Sequence, residues 1–298
     1  MTQDTQPLLR IAISSSALFD LRDADRVFRH EGLTAYGAYQ RARERETLAP
    51  GAAFPLIKKL LSLNADGRVP TEVILLSRNS ADTGLRVFNS IQDHGMPIIR
   101  AAFTGGAAPY RYMRPFQCQL FLSTNPLDVV DAIDHGVAAA TVLVSHKPSN
   151  LDGPVKFAFD GDAVLFSDES EQIFQTRGLE AFAENERLAA DLPLNPGPFK
   201  AFLDQLHAIQ QRFDDEICPI RTALVTARSA PSHERVIKTL RSWGVRVDES
   251  LFLGGKDKTQ FLKAYGADIF FDDQAEHCHL ASREVVTGHV NHGVMNPH

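Results

Sequence analysis

The sequence predicts an α/β fold in which parallel strands alternate with helices, laid out twice along the chain. Short apolar runs ending in polar residues recur near 9–14, 72–77, 119–123, 155–160, 221–226 and 268–272, and each reads as a buried strand. Between them, near 52–64, 82–94, 126–135, 178–190, 197–213, 231–243 and 257–265, apolar residues recur at the three-and-four spacing of a helix with one buried face. The two halves also repeat each other. Gly32-Leu33, Ala35-Tyr36 and Pro50-Gly51 recur as Gly178-Leu179, Ala181-Phe182 and Pro196-Gly197 at a single offset. After one small slip, Arg86-Val87, Gly95 and Gly105-Gly106 recur as Arg235-Val236, Gly244 and Gly254-Gly255. Glycine and proline punctuate all βα units, but colinear matches over this length favour a duplication.

Taken in order, Leu9–Ser14 opens the first half, and the charge run Arg41–Glu46 is the solvated face of a helix. Pro148-Ser-Asn-Leu-Asp-Gly-Pro154 is a linker, dividing the chain into halves 1–149 and 150–298. In the second half, Asn195-Pro-Gly-Pro198 starts a helix, with Lys200–Leu206 supplying the apolar spacing. Ser232 is placed to cap the helix after the strand ending at Thr226.

A chain of 298 residues is long enough for two ordinary domains, and 44% apolar with 23% charged residues is a soluble composition. Its 31 basic and 37 acidic residues give a net charge of −6 with no basic stripe, which argues against nucleic acid as a partner. Three scattered cysteines, Cys118, Cys218 and Cys278, suit reduced intracellular thiols. Asp4 and serine interruptions speak against a secretory leader, and no apolar run reaches membrane-spanning length. The expected location is the cytoplasm, with at most further copies of the same chain as a macromolecular partner.

The chemistry is concentrated in the second half. Lys156-Phe-Ala-Phe-Asp160-Gly-Asp162 reads as a buried strand ending in two carboxylates, close enough to share a metal or a proton. Ala223-Leu-Val-Thr226-Ala-Arg228-Ser229 ends a second strand in a hydroxyl and a cation. Gly254-Gly-Lys256-Asp-Lys258 is a basic loop opening a helix, and Ile269-Phe-Phe-Asp272-Asp273 ends a further strand in an acid pair. Together they make the parts of a magnesium-dependent phosphoryl-transfer site along one edge of a parallel sheet. Asp160 is the nucleophile, because a carboxylate attacks phosphorus without prior deprotonation. Asp162 protonates the leaving oxygen and later activates water. Asp272 and Asp273 complete the set of hard oxygen ligands that favours Mg2+, and which of them binds directly stays open. Thr226 is a phosphoryl hydrogen-bond donor. Either Lys256 or Lys258 neutralises the phosphate. Arg228 and Ser229 lie in reach of phosphate or ribose, with an ion pair the equal alternative for Arg228. Glu276–His279 resembles a zinc cluster only superficially and reads as a surface helix.

These motifs occur in the order seen in the haloacid dehalogenase superfamily of phosphatases, which the sequence resembles. The resemblance narrows to the cytosolic 5'-nucleotidase type I family through Ile11–Phe19, Phe103–Gly106, Phe157–Ser170, Val225–Ser229 and Phe270–Gln274. It implies two tandem Rossmann-like domains and hydrolysis of nucleoside 5'-monophosphates through an aspartyl phosphate. It further implies Lys258 as the loop lysine, and the backbone carbonyl of Asp162 as its link to the metal. A phosphatase for another small phosphomonoester, or a nucleotide-binding regulator without turnover, are the alternative functions.

The repeat sets Asp160 and Asp162 against Ser14 and Ser16, and Asp272 and Asp273 against Ser123 and Thr124. Serine cannot form an acyl phosphate or neutralise a divalent cation, so the first half is expected to be a degenerate, metal-free copy. Its polar and aromatic residues Asn79 and Tyr112 are expected to wall the active site and recognise the nucleoside.

Overall fold

The computed structural model describes residues 9–64, 67, 69–143 and 151–296. The boundary at 149/150 and the start of the expected linker lie outside them. The first half runs β1 (Leu9–Ile13), α1 (Ser15–Leu18), α2 (Arg22–Ala42), α3 (Phe54–Ser62), β2 (Thr71–Ser77), α4 (Ala81–Asp93), β3 (Arg100–Phe103), β4 (Leu120–Ser123), α5 (Pro126–Asp134) and β5 (Ala138–Leu143). The second runs β6 (Val155–Phe159), α6 (Glu169–Leu188), α7 (Lys200–Gln210), β7 (Ile220–Thr226), α8 (His233–Ser242), β8 (Glu249–Phe252), α9 (Thr259–Tyr265), β9 (Ile269–Asp272), α10 (Ala275–Ala281) and β10 (Val286–His289).

The ten strands of the described residues form one sheet in the order β3-β2-β1-β4-β5-β10-β9-β6-β7-β8. Every neighbouring pair is parallel except β5 and β10, which run antiparallel with Leu143, Val142 and Thr141 opposite Thr287, Gly288 and His289. The two halves share a single sheet, joined edge to edge. Outward from that seam, both halves place their strands in the same relative order. Helices cover both faces of a mostly parallel sheet, so its central strands are buried on both sides, as the continuous apolar runs of β1, β6 and β9 require.

The repeat extends to backbone detail. Gly32 and Gly178 interrupt α2 and α6 with nearly the same angles, φ 82°, ψ −176° and φ 81°, ψ 179°. Phe19 bridges Pro50 as Phe166 bridges Pro196. These bridges explain the repeated Pro-Gly. A Cβ on Gly51 would stand 2.8 Å from the Ala17 carbonyl oxygen, and one on Gly197 2.5 Å from that of Val164. Neither approach is tolerable for a side chain.

The one cap expected from the sequence is not the one the helices use. Ser80 and Asn125 cap α4 and α5 by accepting from Thr83 and Leu127 amides at 3.2 and 3.1 Å. Ser232 does not cap α8; its hydroxyl donates to the Ser229 carbonyl at 2.7 Å. Across the seam, the Lys59 ammonium on α3 donates to both oxygens of Asp268, at 2.9 and 2.8 Å, at the start of β9. The Asp268 carboxylate also accepts from the Lys156 amide at 2.8 Å.

Candidate active site

The apolar run of β6 buries Phe157, Ala158 and Phe159 completely, which fixes the chain where Asp160 emerges at the carboxyl edge. Asp160 is extended (φ −70°, ψ 165°), and its Oδ1 accepts from the Gly161 amide at 2.7 Å. The following turn closes from the Phe166 amide to the Gly161 carbonyl, five residues back, at 2.9 Å. In the first half the equivalent bond, Phe19 amide to Ser15 carbonyl, also 2.9 Å, spans only four. The inserted residue is Ala163, at φ 58°, a left-handed conformation that alanine seldom takes. Single-residue insertions of this kind are frequent at functional sites. Here the insertion sets Asp162 in an extended conformation (φ −69°, ψ 141°), whereas Ser16 lies inside the short helix α1.

Neighbouring strand tips bring the other predicted residues together. The Lys258 ammonium, 3% exposed, lies 2.9 Å from Asp160 Oδ2 and 2.7 Å from Asp272 Oδ2. Lys256 is exposed, and Lys258 is the one of the two lysines that meets the acids. Asp272 is committed to orienting its neighbours, for Oδ1 accepts from the Gln274 amide at 2.8 Å and Oδ2 lies 3.3 Å from His277 Nδ1. His277 therefore belongs to the site, and the surface-helix reading of Glu276–His279 is corrected at this position. Thr226, at the end of β7, is buried and accepts from the Arg228 amide at 3.2 Å.

Charge balance separates the carboxylates. Burial raises the Asp160 carboxyl against the pull of Lys258. Burial acts the same way on Asp272, but Lys258 and His277 outweigh it and hold that group low. Asp273 is pushed up to about 9 by burial and then by Asp160 and Asp272. Among the described residues its carboxylate makes no ion pair. An acidic cluster with one uncompensated member suits a hard divalent cation, so the residues fit Mg2+ through oxygen donors. Asp160, Asp272 and His277 also bring ligand atoms within 4.8 Å of one another, but Lys258 already occupies the space between the two carboxylates.

Arg228 follows the ion-pair alternative. Its Nε and Nη2 donate to Asp162 Oδ2 and Oδ1 at 2.8 and 2.6 Å, and Nη1 donates to Glu186 Oε2. Glu186, fully buried on α6, also accepts from Arg235 Nη1 and Ser170 Oγ, each at 2.9 Å. Sequence reasoning passed over Glu186. Its one signal was the repeat, which sets it opposite Gln40. Ser229 is exposed beside Gly254.

Asn79 and Tyr112 are not at this site. The antiparallel seam points the carboxyl ends of the first-half strands at the opposite edge of the sheet from Asp160. Asn79 follows β2, six strand positions from β6, a lateral separation of roughly 29 Å at the usual strand spacing. Tyr112 is exposed beneath the Arg111 guanidinium and also belongs to the first half. The expectation that they wall the active site fails on topology.

A parallel α/β sheet with acids and a lysine gathered at its strand tips is a recurrent scaffold for small-molecule chemistry. The profile of the 5'-nucleotidase family matches residues 1–297, and the chain belongs to that family. It is 40% identical over 288 residues to cytosolic 5'-nucleotidase 1B of Homo sapiens, an alignment covering 92% of this chain and 47% of that protein. The chain thus spans about half the length of that relative. No solved structure matches. No helix among the described residues is long and apolar enough to cross a membrane.

Proposed function

We propose that this chain is a magnesium-dependent 5'-nucleotidase, converting a nucleoside 5'-monophosphate and water to nucleoside and phosphate. The observation that carries the reading is Lys258 gripping Asp160 and Asp272 beside the uncompensated carboxylate of Asp273. Membership of the family supplies the nucleotide.

An Asp160 oxygen attacks phosphorus, the bond to the nucleoside O5' breaks, and the phosphoryl group rests on Asp160 as an acyl phosphate. Asp162 gives the departing oxygen its proton and then takes one from the water that releases phosphate. Both Asp162 oxygens accept from Arg228, so one of those contacts must open before the acid acts. Lys258 and Thr226 hold the phosphoryl oxygens, while Asp272 and His277 hold Lys258 in place. Asp160, Asp273 and the backbone carbonyl of Asp162 would hold Mg2+, which offsets the negative charge of the transferring group. Ser229, exposed at this edge, would meet the ribose.

The halves 1–149 and 150–298 are read as diverged copies of one haloacid dehalogenase-type unit, supported by their matching strand order and glycine conformations. The cytosolic name of the human relative and three unpaired buried cysteines support a cytoplasmic location. The test is phosphate release from a panel of nucleoside monophosphates and sugar phosphates, with magnesium and with chelator, by the native chain and by Asp160→Asn. Turnover of nucleotides that needs metal and vanishes in the folded variant supports the reading. Preference for sugar phosphates, or turnover in Asp160→Asn, overturns it.

A further inference from the structure

The first half carries, at its own strand tips, a cleft of about 1100 Å3. Its volume is slightly above that of most small-molecule pockets, commonly about 300–1,000 Å3. We propose that this cleft binds an uncharged nucleoside at a second site, on the opposite sheet edge from Asp160.

The cleft is built on the same frame as the candidate active site, with neutral residues at the positions of its central charges. In the second half Arg235 Nη1 donates to Glu186, Glu186 accepts from Arg228, and Arg228 grips Asp162. In the first half Arg86 Nη1 donates to Gln40 Oε1 at 3.1 Å, and Gln40 Nε2 donates to the Tyr36 hydroxyl at 3.1 Å. The Tyr36 hydroxyl in turn donates to Asn79 Oδ1 at 2.9 Å. Even the anchors match: Arg86 Nε donates to the Glu46 carbonyl at 3.0 Å and Arg235 Nε to that of Leu192 at 2.8 Å. Glutamate has become glutamine, arginine has become asparagine, and the aspartates have become serines.

This relay fixes the polarity of the far end. Arginine only donates, so Gln40 must present its oxygen to Arg86 and its amide nitrogen to Tyr36. Tyr36 then has only its own proton to give Asn79, which must accept through Oδ1. Asn79 Nδ2 is left as a buried donor with no partner. An unpaired buried donor is costly to leave unmade, and an acceptor on a ligand's ring edge would recover that cost.

The remaining surfaces choose the ligand class. Phe28, half exposed, meets Tyr36 edge-on at 5.9 Å between centroids, forming an aromatic wall with the exposed Leu33. Such a wall suits a planar base. The floor is hydroxyls: Ser14 and Ser16 lie 3.3 Å apart, and Ser16 and Thr124 2.5 Å apart, a surface matched to a sugar's own hydroxyls. Phosphate finds little here. The repeat puts Pro109 where Lys258 stands, and the rim cations Arg78 and Arg41 are paired to Asp128 and Asp82 at 2.5 and 2.7 Å, while Arg29, also on the rim, is exposed and donates to the Asp25 carbonyl at 3.4 Å.

The test locates binding on the full chain, with 8-azidoadenosine as photoprobe and peptide mapping as readout. The expected result is labelling of peptides from Phe28–Tyr36, blocked by adenosine and unaffected by inorganic phosphate. Phe28→Ser and Asn79→Leu, at positions exposed or partly exposed in the native fold, should each lower that labelling at least tenfold and leave phosphate release from AMP unchanged. Labelling confined to the second half, or equal protection by phosphate, overturns the proposal. Because the label is read by position, its outcome is separate from whether the chain hydrolyses nucleotides.

Discussion

Replacing Lys59 with methionine should destabilise the whole protein more than any exposed charge change. Lys59 and Asp268 have side chains only 4% and 6% exposed, and their ion pair links α3 of the first half to β9 of the second. Methionine keeps most of the packing volume but leaves Asp268, among the described residues, with only the Lys156 amide as partner. Breaking one side of such a buried pair costs about 3–5 kcal/mol. At roughly 2–4 °C per kcal/mol for chains of this size, the melting temperature should fall on the order of 6–20 °C. Asp268→Asn in the same chain should restore much of the loss, since the amide oxygen still accepts from Lys156 without an unpaired charge. Thermal unfolding followed by circular dichroism measures all three variants. A shift under about 2 °C for Lys59→Met, or a double variant no better than the single, would refute the assignment of that cost to a stranded carboxylate.

Glu186→Gln should lower kcat about 10–100-fold with little change in KM, since it loosens Arg228 and through it Asp162 without touching substrate, as supporting residues at metal sites typically do; steady-state kinetics reads the split. Magnesium at a hundred times its dissociation constant should stabilise the native chain by about 2.7 kcal/mol, and Asp273→Asn should abolish that gain in a thermal melt. Ser14→Ala and Ser123→Ala should leave magnesium dependence intact, because the first half has no carboxylates where the second has Asp160 and Asp272; phosphate release against metal concentration checks it.

Much of this was legible in the chain because burial leaves a local signature. Strands β1, β2, β6, β7 and β9 are runs of large apolar residues covered on both faces, so composition alone reveals them. The strands that escaped are short and weakly marked. β3 and β8 lie at the two sheet edges and contain exposed residues. β5 is alanine-rich, and β10 contains Gly288. Helix α2 was hidden by its charges and by the break at Gly32. The acids, Thr226 and Lys258 were legible since each ends or follows a recognisable strand or loop. Glu186 and His277 were not, because each reaches the site from a helix face by a fold-dependent contact. The antiparallel seam was invisible for a related reason: pairing between residues 141–143 and 287–289 leaves no mark in either segment. That gap misplaced Asn79 and Tyr112.

The seam also makes one strand answerable for two exposed flanks. β10 pairs with β5 on one side and with β9 on the other, and its Gly288 has no room for a side chain between Phe271 and Ala140. A chain ending before Val286 would present two raw sheet margins, each with an open row of backbone donors and acceptors. Such margins recruit strands from other molecules. Synthesis reaches β10 after the other nine strands of the described residues, so the nascent chain carries both margins until β10 arrives, and substitutions that slow this insertion should show first as aggregation.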